Sequence, residues 1–146
     1  MSESPQQTRV FESPAVAEAH FYEAFANIDG QLMSEVWLDS ETVFCIHPSG
    51  QPLIGSQAVL DSWRAMFKGG HPLALFYQVV QKQECEGMAL HLVEEMVSSQ
   101  DGSRRGLVMA SNCYLKTETG WRLFSHHGSP MVKPQTEKTG ASAQVH

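Results

Sequence analysis

Apolar residues recur every three to four positions at Ala17, Phe21, Phe25, Ile28 and Leu32, the spacing of one face of an amphipathic helix. Ser13-Pro14 stands just before this run and predicts its start, because Ser caps and Pro fits a first helical turn. Asp29-Gly30 interrupts the pattern, and Asp29 suits the cap of a second short helix carrying Leu32, Met33, Val36 and Trp37. The period then changes. "ETVFCIH" (41–47) is β-branched and aromatic and predicts a strand, while "PSGQPLIG" (48–55) reads as a turn, a brief extended piece and another turn. Ser56 suits the cap of a third helix with Val59, Leu60, Trp63, Met66 and Phe67 on one side, ended by "KGGHP" (68–72). Everything afterwards is strand-like: 73–84, 88–99, 105–117 and 120–127. Glu86-Gly87, Gln100-Asp101-Gly102 and Glu118-Thr119-Gly120 separate these runs and read as hairpin turns.

Helices grouped early and an antiparallel meander late imply an α+β protein. A long curved antiparallel sheet with N-terminal helices over its concave face makes a cone with an interior, and concave, mostly apolar sites favour small ligands. Residues 1–12 read as a flexible arm, 13–131 as one domain, and the polar, small-residue segment 132–146 as a disordered tail.

Composition narrows the function classes. The chain has 146 residues, 42% hydrophobic and 18% charged, enough for one substantial core. Its net charge of −6 argues against nucleic acid as a partner, since phosphate binding needs clustered Lys and Arg. "MSESPQQTRV" has neither the basic start nor the apolar run of a secretory signal, and no stretch approaches membrane-spanning length. Cys45, Cys85 and Cys113 are odd in number and widely spaced, which suits free thiols in a reducing cytoplasm. A cytoplasmic protein without a membrane partner is expected. No phosphate loop, nucleotide motif or Ser-His-Asp order is visible, so no cofactor is expected.

The candidate chemistry sits on the strands. In "RLFSHHGSP" (122–130), alternation places Trp121, Leu123, Ser125 and His127 on one face and Arg122, Phe124 and His126 on the other. Adjacent histidines on opposite faces cannot readily share a metal, so none is expected. His47 shares a face with Val43 and Cys45, and either fixes the turn after it or lines the interior. Asn112 lies within an apolar strand between Ala110 and Tyr114; a buried amide needs partners, on the next strand or from a ligand. Of the paired carboxylates, Glu94 shares its face with Leu90, Leu92 and Met96, surroundings that raise a carboxyl pKa. Trp37, Trp63, Tyr22 and Trp121 either wall a pocket or fill a core.

Residues 36–67 and 109–130 also resemble a known family. Trp37, the His47-Pro48-x-Gly50 turn, Gly55, Ala58-Val59, Ser62-Trp63, Ala110-Ser111-Asn112, Gly120-Trp121 and His127-Gly128-Ser129 are similar to the nuclear transport factor 2-like superfamily, in its SnoaL-like branch of small bacterial proteins. The resemblance implies the cystatin-like cone, His127 at the pocket end of its strand, and a homodimer paired through the sheet, with His126 toward the interface. It implies acid-base chemistry of isomerase, dehydratase or cyclase type on a small apolar carbonyl compound. His47, His127 and Asn112 would do that work, with Trp37, Cys45, Trp63, Tyr22, Glu94, Tyr114 and Trp121 lining the pocket. The alternative is a non-catalytic ligand-binding or homo-oligomeric assembly module. His47, His127 and Asn112 around an open cavity would favour the enzyme; a cone filled by Trp and Phe would disfavour it.

Overall fold

The structure is a computed structural model that describes residues 9–132. Helix α1 (Pro14–Ala26) is capped by Ser13, whose side chain accepts from Val16 N at 3.1 Å. Helix α2 (Gly30–Val36) is capped by Asp29, which accepts from Leu32 N at 3.0 Å. Helix α3 (Ser56–Phe67) departs from expectation, because its cap is Gly55 at φ 94°. Ser56 lies one residue inside the helix, and its hydroxyl accepts from Ser40 N at 2.6 Å and donates to Ser40 O at 2.8 Å. It ties the helix to the preceding loop instead of capping it.

Six strands complete the fold: β1 (Phe44–Ile46), β2 (Leu53–Ile54), β3 (Leu73–Cys85), β4 (Met88–Ser99), β5 (Arg105–Thr117) and β6 (Gly120–Pro130). They form one open sheet in the order β2-β1-β6-β5-β4-β3. All neighbours are antiparallel except β1 and β6, which run parallel. Strand β1 is shorter than expected because Thr42 N bonds to Ser40 Oγ in a turn. Strand β6 is longer, since Ser129 and Pro130 continue the register opposite Met109 and Val108.

Two bulges matter for the interior. Register slips between Val79 and Gln81 on β3, leaving Val80 unpaired. On β6, Tyr114 faces Leu123 but Cys113 faces Ser125, leaving Phe124 as the extra residue. A bulge of this kind reverses which face each following side chain takes. The inward set on β6 is therefore Trp121, Leu123, His126 and Gly128, all buried.

The arm is partly docked. Phe11 is fully buried and bridges to Gly120, and Arg122 holds it by donating to Arg9 O and lying 4.9 Å from the Phe11 ring. Gly120 has φ 101° and a Cβ there would lie 2.6 Å from Phe11 O, so the close approach needs glycine. Residues 1–8 of the expected arm and 133–146 of the expected tail lie outside the described residues. No helix is long and apolar enough to cross a membrane among the described residues.

Candidate functional site

Beneath α1, the inner faces of β4, β5 and β6 bring together a polar cluster within an apolar shell. Helical spacing puts Glu18 and Tyr22 one turn apart on α1, facing the sheet. Strand alternation supplies His91 and Glu95 from β4, Asn112 and Tyr114 from β5, and His126 from β6. All seven are buried.

Their hydrogen bonds link into one network. Tyr22 donates its hydroxyl to Glu95 Oε2 at 2.6 Å. Asn112 Nδ2 donates to the Tyr22 oxygen at 2.9 Å and to Glu18 Oε2 at 3.2 Å. Tyr114 donates to Glu18 Oε2 at 2.7 Å, and His91 Nδ1 lies 2.9 Å from Glu18 Oε1. The carboxamide oxygen of Asn112 lies 2.6 Å from His126 Nδ1. Since Asn112 Oδ1 only accepts, His126 carries its proton on Nδ1.

The two carboxyl groups are solvated very differently by the protein. Glu18 is met by three side chains, Asn112, Tyr114 and His91. Glu95 receives one side-chain bond, from Tyr22. Burial pushes its carboxyl up to about 7; the Tyr22 bond lowers it in part, and the charge of Glu18 raises it again. Burial, and then the charge of Glu95, drive the Tyr22 phenol far above its ordinary range, so Tyr22 stays a donor. Tyr114 is raised by burial and by Glu18. Burial pushes His126 down to about 3, helped by charge on His47 and His127, so its ring is neutral.

The aromatic shell closes on this network. Trp63 meets Phe21 at 5.6 Å, Phe25 at 5.1 Å, His47 at 4.8 Å and His126 at 6.1 Å between ring centroids. Asn112 and Tyr114 are at 0% exposure and Glu95 at 2%, so the network is closed to bulk solvent. A surface groove lined by Glu84, Cys85, Glu86, Lys116, Glu118 and Trp121 lies apart, at the β3–β4 and β5–β6 turns.

Asn112, Tyr22 and Tyr114 thus belong to the network. His47 stands at its margin, half-buried, with Nε2 3.0 Å from Ser62 Oγ and 3.8 Å from Cys45 Sγ; burial lowers its pKa. Cys45 faces the interior, but burial pushes its thiol up to about 12, which leaves little thiolate for nucleophilic attack. Trp37 and Trp63 are core, and Trp121 borders the surface groove.

Two expectations are corrected. His127 is exposed and His126 points inward, because the Phe124 bulge reverses the alternation midway along β6. The same inversion removes His126 from any interface on the outer face. Glu94 lies on the outer face with Leu90, Leu92 and Met96, whereas Glu95 is interior with Ala89, His91 and Val93. The more apolar face of β4 is the outer one, so ranking faces by hydrophobicity selected the wrong carboxylate. Glu18, His91 and Glu95 are not among the residues the sequence singles out; the polar alternation His91-x-Val93-x-Glu95 is an available signal for the two strand residues, and nothing comparable marks Glu18.

A family profile described as the SnoaL-like domain matches residues 16–133. The chain belongs to the SnoaL-like family. Among solved structures, this SnoaL-like domain is similar to a Thiobacillus denitrificans protein provisionally named a calcium/calmodulin-dependent protein kinase type II association domain. They are 33% identical, with a TM-score of 0.79 over 84% of this chain and 98% of that one. A provisionally named dehydratase of the nuclear transport factor 2-like family from Streptomyces avermitilis is 30% identical, with a TM-score of 0.75 over 82% of this chain and 94% of that one. A Nostoc punctiforme domain with a cystatin-like fold shares the architecture at 16% identity, covers 80% of this chain and 74% of that one, and has a TM-score of 0.67. The F-box protein SKIP8 of Arabidopsis thaliana is 26% identical over 102 residues, 70% of this chain but only 42% of that protein. The α+β cone expected from the sequence is therefore the family's fold.

Proposed function

We propose that this SnoaL-like domain binds a small carbonyl compound in its cone and performs acid-base chemistry on it, with Glu95 as the proton carrier. The observation that carries the reading is the Tyr22–Glu95 pair: a 2.6 Å bond to a buried carboxyl pushed up to about 7. A carboxyl that gains and loses its proton near neutrality serves as both acid and base. Burying two carboxyl groups in one core is costly, and such perturbed groups concentrate where chemistry is done. The dehydratase name carried by the Streptomyces avermitilis relative fits the same reaction class.

In this scheme ionised Glu95 takes a proton from the carbon next to the carbonyl, and the electron pair of that C–H bond moves toward the carbonyl oxygen. The carboxyl then returns its proton, at a second carbon in an isomerisation or to a departing hydroxide in a dehydration. Tyr22 supplies a hydrogen bond throughout, and Asn112, oriented by His126, holds Tyr22 in place. Trp63, Phe21 and Phe25 fill the cone beside the network and His127 lies outside it, the arrangement that disfavours an enzyme built on His47, His127 and Asn112. The reading rests instead on the Tyr22–Glu95 pair, and substrate access requires a side chain to move.

Loss of α-hydrogen from ketones in deuterated water, followed by proton NMR, tests this directly. Glu95→Gln is expected to slow the protein-dependent exchange about 100-fold or more. Equal exchange by wild type and Glu95→Gln would reject Glu95 as the proton carrier.

A second role, self-association through the outer face of the sheet, has its own support. Phe76, Val80, Met88, Leu90, Leu92 and Met96 are exposed on β3 and β4, and contiguous apolar surface of this kind marks interaction sites. The Thiobacillus denitrificans relative bears the name of an association domain. The two roles are compatible, because one uses the inner and the other the outer face.

A further inference from the structure

Tyr77 lies directly across the β3–β4 ladder from Glu95. Its ring stacks on Tyr22 at 4.3 Å between centroids and 21° between planes, and Tyr22 stacks in turn with Phe25 at 6.4 Å and 19°. Tyr77 is 37% exposed, while Tyr22 and Glu95 beneath it are each at 2%. It is thus the layer between the network and solvent on this side. Nothing but ring contact and the backbone holds it, since its hydroxyl makes no hydrogen bond among the described residues. Its strand, β3, is the outermost of the sheet and carries the Val80 bulge three residues further on. Edge strands interrupted in this way are the cheapest parts of a sheet to displace.

Glu95 adds a second observation. Its Oε2 is engaged by Tyr22, and no partner for its other oxygen is found among the described residues. A protonated carboxyl carries an O–H that needs an acceptor. The Tyr77 ring covers the face of Tyr22, the residue that holds Glu95, from the position across the ladder from Glu95.

We infer that Tyr77 is the gate of the interior site, and that the ligand replacing it on Tyr22 is a flat ring bearing a hydrogen-bond acceptor for Glu95. The inference rests on the reading of Glu95 as the site's acid-base group. A planar ring recovers the stacking lost when Tyr77 swings away, and its carbonyl oxygen accepts from the Glu95 carboxyl while that group is protonated, before ionised Glu95 acts as base. A saturated ring of the same size recovers less of the stacking.

The experiment compares acetophenone with cyclohexyl methyl ketone, a saturated ring carrying the same acetyl group. Binding is followed by NMR shifts of Tyr22 and Glu95 in wild type, Tyr77→Leu and Tyr77→Trp, each first checked for a folded spectrum. Acetophenone is expected to bind more tightly than the saturated ketone. Tyr77→Leu, which fills space without stacking, is expected to tighten acetophenone roughly threefold to tenfold, the scale of one aromatic pair. Tyr77→Trp, a larger stacked plug, is expected to weaken it. If acetophenone shifts Tyr22 and Glu95 with the same affinity in all three proteins, Tyr77 is no gate, although the Glu95 site stands. Equal binding of the two ketones overturns the flat-ring assignment alone. If neither ketone moves Tyr22 or Glu95 in any protein, the inference and the Glu95 reading fall together.

Discussion

Glu95 and His126 sit on the two sides of Asn112 and Tyr22, and their titrations pull stability in opposite directions. The native Glu95 carboxyl is raised from 4.5 to about 7. Its contribution to stability is complete below pH 4.5 and is lost as pH rises through 7, because only the folded state keeps the proton in that window. Native His126 is lowered from 6.5 to about 3. Its contribution is complete above pH 6.5 and is lost as pH falls toward 3, where the unfolded chain holds the extra proton. Between pH 4.5 and 6.5 each state holds one proton of this pair and the two slopes cancel. Denaturant unfolding across pH is therefore expected to show a plateau there and a decline on either side. Glu95→Gln is expected to remove the alkaline decline and to turn the plateau into a rise toward pH 6.5, so that the two profiles diverge by on the order of 3 kcal/mol in all between pH 4.5 and 7. Parallel profiles for wild type and Glu95→Gln between pH 5 and 8 would contradict this.

At the scale of elements, the sequence specifies more of the sheet than of the site. The helical periodicity, the hairpin turns and the α-before-β order all appear in the structure, because each depends on local patterning. The inner faces depend on register, which is set by pairing between strands distant in sequence. Trp121 and Leu123 do face inward, as strict alternation requires, yet one extra residue, Phe124, delivers His126 instead of His127 to Asn112. Nothing in "RLFSHH" announces that bulge. On β4 the obstacle is compositional. The interior polar network leaves the inner face less apolar than the outer one, so the usual inference from hydrophobicity to burial reverses. Asn112 was legible because an amide between apolar neighbours must find partners. Glu18 was not, because one acidic residue on a helix ordinarily faces water.

Taken as a whole, the molecule encloses a polar network within an apolar core and exposes apolar side chains on the outer face of β3 and β4, a surface that marks interaction sites. An isologous pairing of two copies through β3 and β4 would cover that face without touching the network. Light scattering at micromolar concentration is expected to give twice the 16.2 kDa chain mass, and Leu92→Lys is expected to halve it while retaining the fold. A wild-type monomer would contradict pairing through the sheet. In the interior, α1, β4 and β5 together surround the buried Glu95 carboxyl, the proposed proton carrier. The most direct measurement of that role is the carboxyl carbon-13 shift of Glu95 followed across pH. A midpoint near pH 7 is expected, falling when Glu18 is replaced by Gln, since the neighbouring charge is then removed. A midpoint near the ordinary value of 4.5, unaltered by Glu18→Gln, would contradict it.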